Sequence, residues 1–76
     1  MFKRGLYRHY KGGLYHLMCI ARHTETAEPV AVYVNLTGPR ERGWSCRPMR
    51  GPGGFDEFVV WPDGLSRPRF TAEDKL

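Results

Sequence analysis

Two tyrosines, an arginine, a histidine and a lysine stand side by side in the stretch Tyr7-Arg8-His9-Tyr10-Lys11. Their side chains offer hydrogen-bond donors and aromatic rings, with which small domains hold phosphates and bases. Further along the chain, Arg47 precedes Pro48, which favours an extended backbone and so directs the guanidinium. The sequence therefore predicts a surface for a nucleotide-bearing ligand. The candidate ligand-binding residues are Tyr7, Arg8, His9, Lys11, His23, Tyr33 and Arg47.

The three histidines raise the question of a metal site. His9, His16 and His23 are evenly spaced, but odd offsets alternate between the two faces of a strand, so the spacing does not bring the rings together. No cysteine or histidine pair has the close spacing of a zinc site. We therefore predict no metal and no cofactor.

A catalytic interpretation remains an alternative. It would use His9 or His23 as general base, Lys11 or Arg47 to stabilise charge, and Glu25 to orient the imidazole. The sequence contains no nucleophile elbow, no phosphate loop and no recognisable carboxylate pair. These absences favour a non-catalytic binding module, and no catalytic residue is predicted.

The length of 76 residues predicts a single domain over residues 1–76, because so short a chain cannot bury two cores. Ten aromatic residues can supply that core. Cys19 and Cys46 are too few for a disulfide framework and are interpreted as buried thiols. The chain has neither a signal-peptide pattern nor an apolar run of membrane length, which predicts a cytoplasmic protein without membrane contact.

The charge is unevenly distributed along the chain. Residues 1–50 carry nine Lys/Arg and three acids, whereas residues 51–76 carry three Lys/Arg and five acids. The positive potential of the first two thirds can attract a polyanion, although the same charge also keeps a small domain soluble.

Glycines and prolines at intervals of roughly ten residues predict strands throughout. Lys11-Gly12-Gly13 predicts the turn of a hairpin, and residues 37–43 (TGPRERG) predict a loop. Residues 47–68 predict one long Pro/Gly-rich connection with at most one helical turn and with aromatic residues that cap the fold. The predicted strands are Leu6–Tyr10, Leu14–His23, Val30–Leu36, Trp44–Arg47 and Arg69–Thr71.

Alternation within the strands predicts which face is inside. In the first strand, Leu6 and Tyr10 are expected to pack partly inward, with Tyr7, His9 and Lys11 pointing outward. In the third and fourth strands, the rows expected in the core are Val30, Val32, Val34 and Leu36, together with Trp44 and Cys46; the rows expected outside are Ala31, Tyr33 and Asn35, together with Ser45 and Arg47.

These elements predict an all-β fold, a small SH3-like β-barrel of four to five antiparallel strands with one long Pro/Gly-rich loop. Closure of a barrel would protect the edges of so short a sheet. An OB-type barrel is disfavoured, because it usually needs a longer chain and an intervening helix.

Several motifs occur in a fixed order: YRHYKGGLY, ARHTETAEPVAVY, an RP dipeptide and a final PRF. In this combination the sequence resembles the bacterial and phage family of domain of unknown function 1653, and the likeness extends over nearly the whole chain. The resemblance implies an SH3-like barrel and implies no established activity. The residues that carry it are Tyr7, Arg8, His9, Tyr10, Lys11, Gly12, His23, Thr24, Glu25, Thr26, Tyr33, Arg47, Pro48 and Phe70.

Three functional hypotheses follow. The first is a non-catalytic module that binds nucleic acid or a small nucleotide through the outward Tyr, His, Lys and Arg side chains. The second is a protein-interaction module with an exposed apolar patch around Phe58 and Trp61. The third is a minimal enzyme that depends on His9 or His23.

Overall fold

Seven β-strands and no helix make up the computed structural model, which describes residues 3–37 and 43–73. The all-β prediction is confirmed, and the five predicted strands are all present with ends that differ by at most one residue. The predicted loop at residues 37–43 lies mostly outside the described residues. The strands are β1 (Gly5–His9), β2 (Leu14–Arg22), β3 (Pro29–Asn35), β4 (Trp44–Pro48), β5 (Phe58–Val60), β6 (Ser66–Pro68) and β7 (Phe70–Ala72).

The main sheet is antiparallel and has the order β4-β3-β2-β1-β7. Strands β5 and β6 form a separate two-stranded hairpin. Because β7 pairs with β1, the end of the described chain lies beside its beginning. Five antiparallel strands agree with the predicted strand number, and closure into an SH3-like barrel stays a prediction.

Over residues 3–37 and 43–73, the structure contains no helix of the length and apolar character needed to cross a membrane.

The predicted turn between the first two strands is present. Gly12 has a φ of 102°, a conformation that glycine adopts without steric cost. The backbone N–H of His9 donates to the Gly13 carbonyl over 2.8 Å, and that of Gly12 donates to the His9 carbonyl over 2.7 Å. This tight hairpin fixes His9 at the end of β1 and places Lys11 in the turn beside it.

The core is built mainly from aromatic side chains on one face of the main sheet. The rings of Phe55 and Phe70 stack with centroids 4.1 Å apart and an angle of 2° between their planes. The Tyr7 ring meets Phe55 edge-on at 5.3 Å. The buried apolar residues are Tyr7, Leu17, Ala31, Tyr33, Met49, Phe55 and Phe70.

The predicted inner and outer rows of β1 and β3 were therefore wrong. Tyr7 and Tyr33 are only 4% and 5% exposed, whereas Leu6 and the valines of β3 are half-buried and Leu36 is 49% exposed. The tyrosines can lie inside because their hydroxyls have partners: Tyr7 donates to the Lys3 carbonyl over 2.6 Å, and Tyr33 accepts from Arg47 over 2.9 Å.

The same reversal occurs in β4. Trp44 is 67% exposed and pairs across the sheet with Val34, while Arg47 pairs with Ala31 and lies on the core side. Cys46 is exposed, as is Cys19, so the interpretation of both as buried thiols was wrong. The reason is that residues paired across two neighbouring strands lie on the same face of the sheet. The β4 residues that pair with Val32 and Val34 therefore lie on the face opposite to the core.

The predicted long connection contains the β5–β6 hairpin, and the described residues of this segment show no helical turn. Its turn is closed by the N–H of Trp61, which donates to the Leu65 carbonyl over 2.9 Å. Phe55, which precedes the hairpin, is fully buried and belongs to the core. Phe58, in contrast, is 65% exposed, so the aromatic residues of this segment do not form one common cap.

Candidate functional site

His9 lies at the surface end of the aromatic core, where β1 meets the turn. Its ring centroid is 4.8 Å from that of Phe70, 4.7 Å from Tyr10 and 5.9 Å from Tyr15. The side chain is half-buried, since Phe70 lies beneath it and Tyr10 beside it. His9 was predicted to point outward, but it lies on the same face of β1 as the buried Tyr7.

The protonation form of His9 follows from a local hydrogen bond. The backbone N–H of Lys11 donates to Nδ1 of His9 over 3.1 Å. A nitrogen that accepts a hydrogen bond carries no proton, so the neutral imidazole has its proton on Nε2. His9 therefore offers a hydrogen-bond donor to any group that approaches Nε2.

Three cationic side chains act on this imidazole. Burial, followed by the charges of Arg47, Arg69 and Lys11, lowers the pKa of His9 from 6.5 to about 4. His9 is consequently neutral at physiological pH, and the local positive charge comes from the two arginines and the lysine.

Arg47 reaches the site from the core side of β4. Its Nε donates to the Tyr33 hydroxyl over 2.9 Å, and its Nη1 donates to the Gly53 carbonyl over 2.9 Å. The guanidinium carbon lies 5.7 Å from the centre of the Phe70 ring. These two hydrogen bonds are to neutral groups, and the charge of Arg47 also helps to lower the pKa of Glu57.

Arg69 joins the site from the short connection between β6 and β7, and sequence reasoning did not include it among the candidates. Its backbone carbonyl accepts from Tyr10 N–H over 3.1 Å, and its guanidinium carbon lies 5.6 Å from the centre of the Tyr10 ring. Nη2 donates to the Glu57 carboxylate over 2.5 Å, and this bond holds the pKa of Glu57 below its usual range. The only signal for Arg69 was its place in the PRF motif.

Lys11 is the exposed member of the group. Its Nζ lies 5.8 Å from the centre of the Tyr10 ring, a cation–π distance. Among the described residues its ammonium has no carboxylate partner. We call this cluster the His9 site; its residues are His9, Tyr10, Lys11, Tyr15, Arg47, Arg69 and Phe70.

The other predicted residues lie elsewhere. Tyr7 and Tyr33 are in the core beneath the site. Arg8 lies on the opposite face of β1, where its guanidinium pairs with Glu73 over 2.5 Å. His23 follows β2, roughly 30 Å along the strand direction from the β1–β2 turn.

His23 has a structural role in the β2–β3 turn. Its Nδ1 accepts from the backbone N–H groups of Glu25 and Thr26, and its carbonyl accepts from Ala27 N–H over 2.8 Å. It borders an open, shallow depression of about 520 Å³ together with Arg22 and Cys46. The catalytic alternative would require a hydrogen bond between His23 and the Glu25 carboxylate. In the structure, Glu25 contacts the His23 ring through its backbone N–H instead.

Nothing in the part of the chain that the structure describes forms a metal-binding group of three or more His, Cys, Asp or Glu side chains. The third histidine, His16, lies with Nδ1 2.9 Å from the Met18 sulfur.

Comparison with known proteins identifies one family. The model of the family described as "Protein of unknown function (DUF1653)" matches residues 5–72. The crystal structure of a DUF1653 protein from Bordetella bronchiseptica is 36% identical and superposes with a TM-score of 0.81, covering 99% of this chain and 91% of the other. The search among curated proteins finds no match.

The family resemblance seen in the sequence is thereby confirmed, and its motifs can be located in the fold. YRHYKG supplies His9 and Lys11, the RP dipeptide supplies Arg47, and PRF supplies Arg69 and Phe70. Three motifs that are far apart along the chain thus meet at the His9 site. The chain belongs to the DUF1653 family.

Proposed function

We propose that the protein is a non-catalytic binding module whose His9 site holds a nucleotide-bearing ligand. The observation that carries this proposal is the unbalanced positive charge around the imidazole. Of the three cations that act on His9, only Arg69 has a carboxylate partner among the described residues. Lys11 and Arg47 form no salt bridge within the described residues, although the charge of Arg47 also acts on Glu57, and an anion would complement both cations.

The hydrogen-bonding groups of the site agree with an anionic ligand. A guanidinium has five N–H donors, and Arg47 uses two of them on Tyr33 and Gly53. Three donors of Arg47, the ammonium of Lys11 and Nε2 of His9 have no hydrogen-bond partner within residues 3–37 and 43–73, and these groups can meet a ligand. Because all of these groups donate, the ligand has to present acceptors such as phosphate oxygens.

The aromatic side chains support the choice of a nucleotide over a simple anion. Tyr7 and Tyr33, on which base stacking was expected, are buried and do not serve. Tyr10 takes their place, because it is only partly buried and its ring lies beside both Lys11 and Arg69. A base stacked on Tyr10 would leave its phosphate within reach of the cations.

A small nucleotide fits the site better than a long strand. The cations form one compact group around His9 instead of a stripe that follows a phosphate backbone. Arg8 lies on the opposite face of β1, and both Arg8 and Arg67 are engaged with a carboxylate.

The tautomer and the low pKa of His9 favour binding over catalysis. Its Nδ1 accepts from Lys11 N–H, and its low pKa keeps it neutral. A general base would need an unprotonated nitrogen directed at the substrate, whereas Nε2 carries the proton. We expect the module to act in the cytoplasm.

Titration of the protein at low salt, with ribonucleoside 5′-monophosphates and separately with a short single-stranded oligonucleotide, tests the proposal. We expect the monophosphates to bind and the Lys11→Gln variant to bind about three- to tenfold more weakly, since one charge-assisted hydrogen bond is lost. Arg22→Gln is the matched control, because it removes one charge at the far end of β2, about 26 Å from the turn. The absence of binding to either ligand, or an equal effect of the two variants, would contradict the proposal.

The β5–β6 hairpin makes a protein partner a second candidate. Phe58, Val60 and Leu65 are 65%, 67% and 59% exposed, and Trp61 beside them is half-buried. Exposed apolar side chains in one short hairpin are typical of contact surfaces. This candidate predicts that Phe58→Ser abolishes retention of a specific protein in nuclease-treated lysate while nucleotide affinity is unchanged. Equal retention by the wild type and the variant would reject it.

A further inference from the structure

The His9 site has more positive than negative charges, and the difference can be counted from its residues. Three cations act on the imidazole, and Glu57 neutralises one of them through its contact with Arg69. Glu73 and Asp63 pair with Arg8 and Arg67, outside the site. Three cations and one carboxylate leave a surplus of two positive charges among the described groups. Lys11 and Arg47 are the two cations without a salt bridge, although the charge of Arg47 also acts on Glu57 and lowers its pKa.

The two surplus charges differ in mobility, and this difference suits a compact anion. Arg47 is partly buried and held by Tyr33 and Gly53, with its guanidinium near the Phe70 ring. Lys11 is exposed on the turn, where its flexible side chain can adjust to a ligand. The rigid fork of Arg47 and the Nε2–H of His9 can fix an oxyanion, and Lys11 can then cover it.

We infer that the His9 site selects a terminal phosphate monoester over a phosphodiester, so that its ligand is a nucleotide with a free phosphate end. This inference rests on the proposed function and adds the chemical class of the phosphate. A phosphate monoester carries about −1.5 to −2 charges and three terminal oxygens at neutral pH. A diester carries a single charge and two free oxygens, so it leaves one of the two surplus cations unmatched.

The donor arrangement leads to the same selection. Arg47 and His9 offer donors from fixed positions, and Lys11 offers up to three more. A monoester accepts from all of them, since none of its three terminal oxygens is esterified. A methyl group on one of these oxygens removes a charge and an acceptor together, while the base and the sugar stay the same.

The test compares each ribonucleoside 5′-monophosphate with its 5′-methyl phosphate ester by isothermal titration. For the wild type we expect the monophosphate to bind at least about tenfold more tightly than its methyl ester, the effect of one charge-assisted contact. Lys11→Gln is expected to reduce this ratio to about threefold or less, and Arg22→Gln is expected to retain it. Circular dichroism confirms that both exposed variants fold.

The outcomes separate the two proposals. Equal affinities for monophosphate and methyl ester would overturn the selection of a monoester and leave nucleotide binding standing. No binding of either compound would overturn both. Ribose 5-phosphate and inorganic phosphate provide a further arm: if they bind as tightly as the nucleotides and the methyl ester binds weakly, the monoester inference holds and the role of the base is rejected.

Discussion

The Nε of Arg47 donates a hydrogen bond to the hydroxyl of Tyr33 over 2.9 Å, joining the surface site to the aromatic core. Tyr33 is 5% exposed, and its hydroxyl is one of the few polar groups within that core. The contact satisfies the tyrosine and at the same time fixes the direction of the guanidinium. Core packing and the geometry of the His9 site are thus linked through one pair of side chains.

The Tyr33→Phe substitution removes this link and leaves the ring in place. We expect the free energy of unfolding to fall by about 0.5–1.5 kcal/mol, because a buried hydrogen bond is lost. Nucleotide affinity is expected to fall about threefold, because Arg47 loses one of its two anchors. Urea denaturation and calorimetric titration measure the two effects.

Tyr7→Phe is the control for this substitution. Tyr7 is also buried, and its hydroxyl donates to the Lys3 carbonyl, away from Arg47. We expect a similar loss of stability with no change in nucleotide affinity. A parallel loss of affinity in both variants would show that general loosening of the core, and not the direction of Arg47, governs binding.

The lowered pKa of His9 predicts a pH-dependent stability. Between pH 6.5 and about 4 the unfolded chain binds a proton at His9 that the folded protein does not bind. The free energy of unfolding is therefore highest above pH 6.5 and decreases as the pH falls through this window. After allowance for screening by solvent at this partly exposed site, the loss is about 1–2 kcal/mol.

Chemical denaturation at a series of pH values measures the slope of the free energy of unfolding against pH. His9→Gln is the variant and His23→Gln is the control. The variant is expected to lose the contribution of His9 to the slope, whereas the control, altered in a distant turn, is expected to keep it. An unchanged slope in His9→Gln would mean that other groups account for acid sensitivity.

The strands and the first turn could be predicted because their signals are local. Glycine at residue 12 has the positive φ of a tight turn, and proline at residue 48 ends β4. The inner faces could not be predicted in the same way, because Ala31 and Tyr33 give the second row of β3 apolar surface as well. The tyrosine row is buried since Leu17, Phe55 and Phe70 pack against it, and these partners come from distant parts of the chain.

The candidate site could be predicted only in part for the same reason. His9, Lys11 and Arg47 were recognised from their chemistry, and they are close together in the fold. Arg69 was missed because its position depends on the pairing of β7 with β1, which brings together residues 61 to 65 positions apart. Arg8 was included because it lies within the same motif, although alternation turns it to the other face.

Arg8 gives a direct test of this distinction between the two faces. Its ion pair with Glu73 is partly exposed, and such pairs contribute little to stability. We expect Arg8→Gln to lower the free energy of unfolding by no more than about 1 kcal/mol and to leave nucleotide affinity within about twofold of the wild type. An effect on affinity as large as that of Lys11→Gln would mean that the ligand contacts both faces of β1.

The exposure of Cys19 and Cys46 predicts the reactivity of both thiols in the folded protein. Both residues pair with Val32, one on each side, so their Cα atoms are about 10 Å apart, too far for a disulfide within the chain. We expect two thiols per chain to react with a thiol reagent without denaturant, and one in each single Cys→Ser variant. Protection until unfolding would show that this face of the sheet is covered in solution.

Gly54 predicts a stability effect that arises from the backbone alone. A Cβ at this position would lie 2.7 Å from the Arg50 carbonyl carbon and 2.9 Å from the Gly51 carbonyl oxygen. Both contacts are with backbone atoms, which cannot move aside as a flexible side chain would. We therefore expect Gly54→Ala to lower the free energy of unfolding by about 1–3 kcal/mol.

The same substitution is expected to weaken nucleotide binding, because the Gly54 carbonyl accepts a hydrogen bond from Nε of Arg69 over 3.3 Å. Arg50→Ala provides the comparison: it shortens an exposed side chain in the same loop and introduces no clash, so stability and affinity are expected to stay near those of the wild type. Urea denaturation followed by titration of each folded variant separates the two effects. Wild-type stability of Gly54→Ala would mean that the loop relaxes without cost, and its tight path would then have no part in holding Arg69 beside His9.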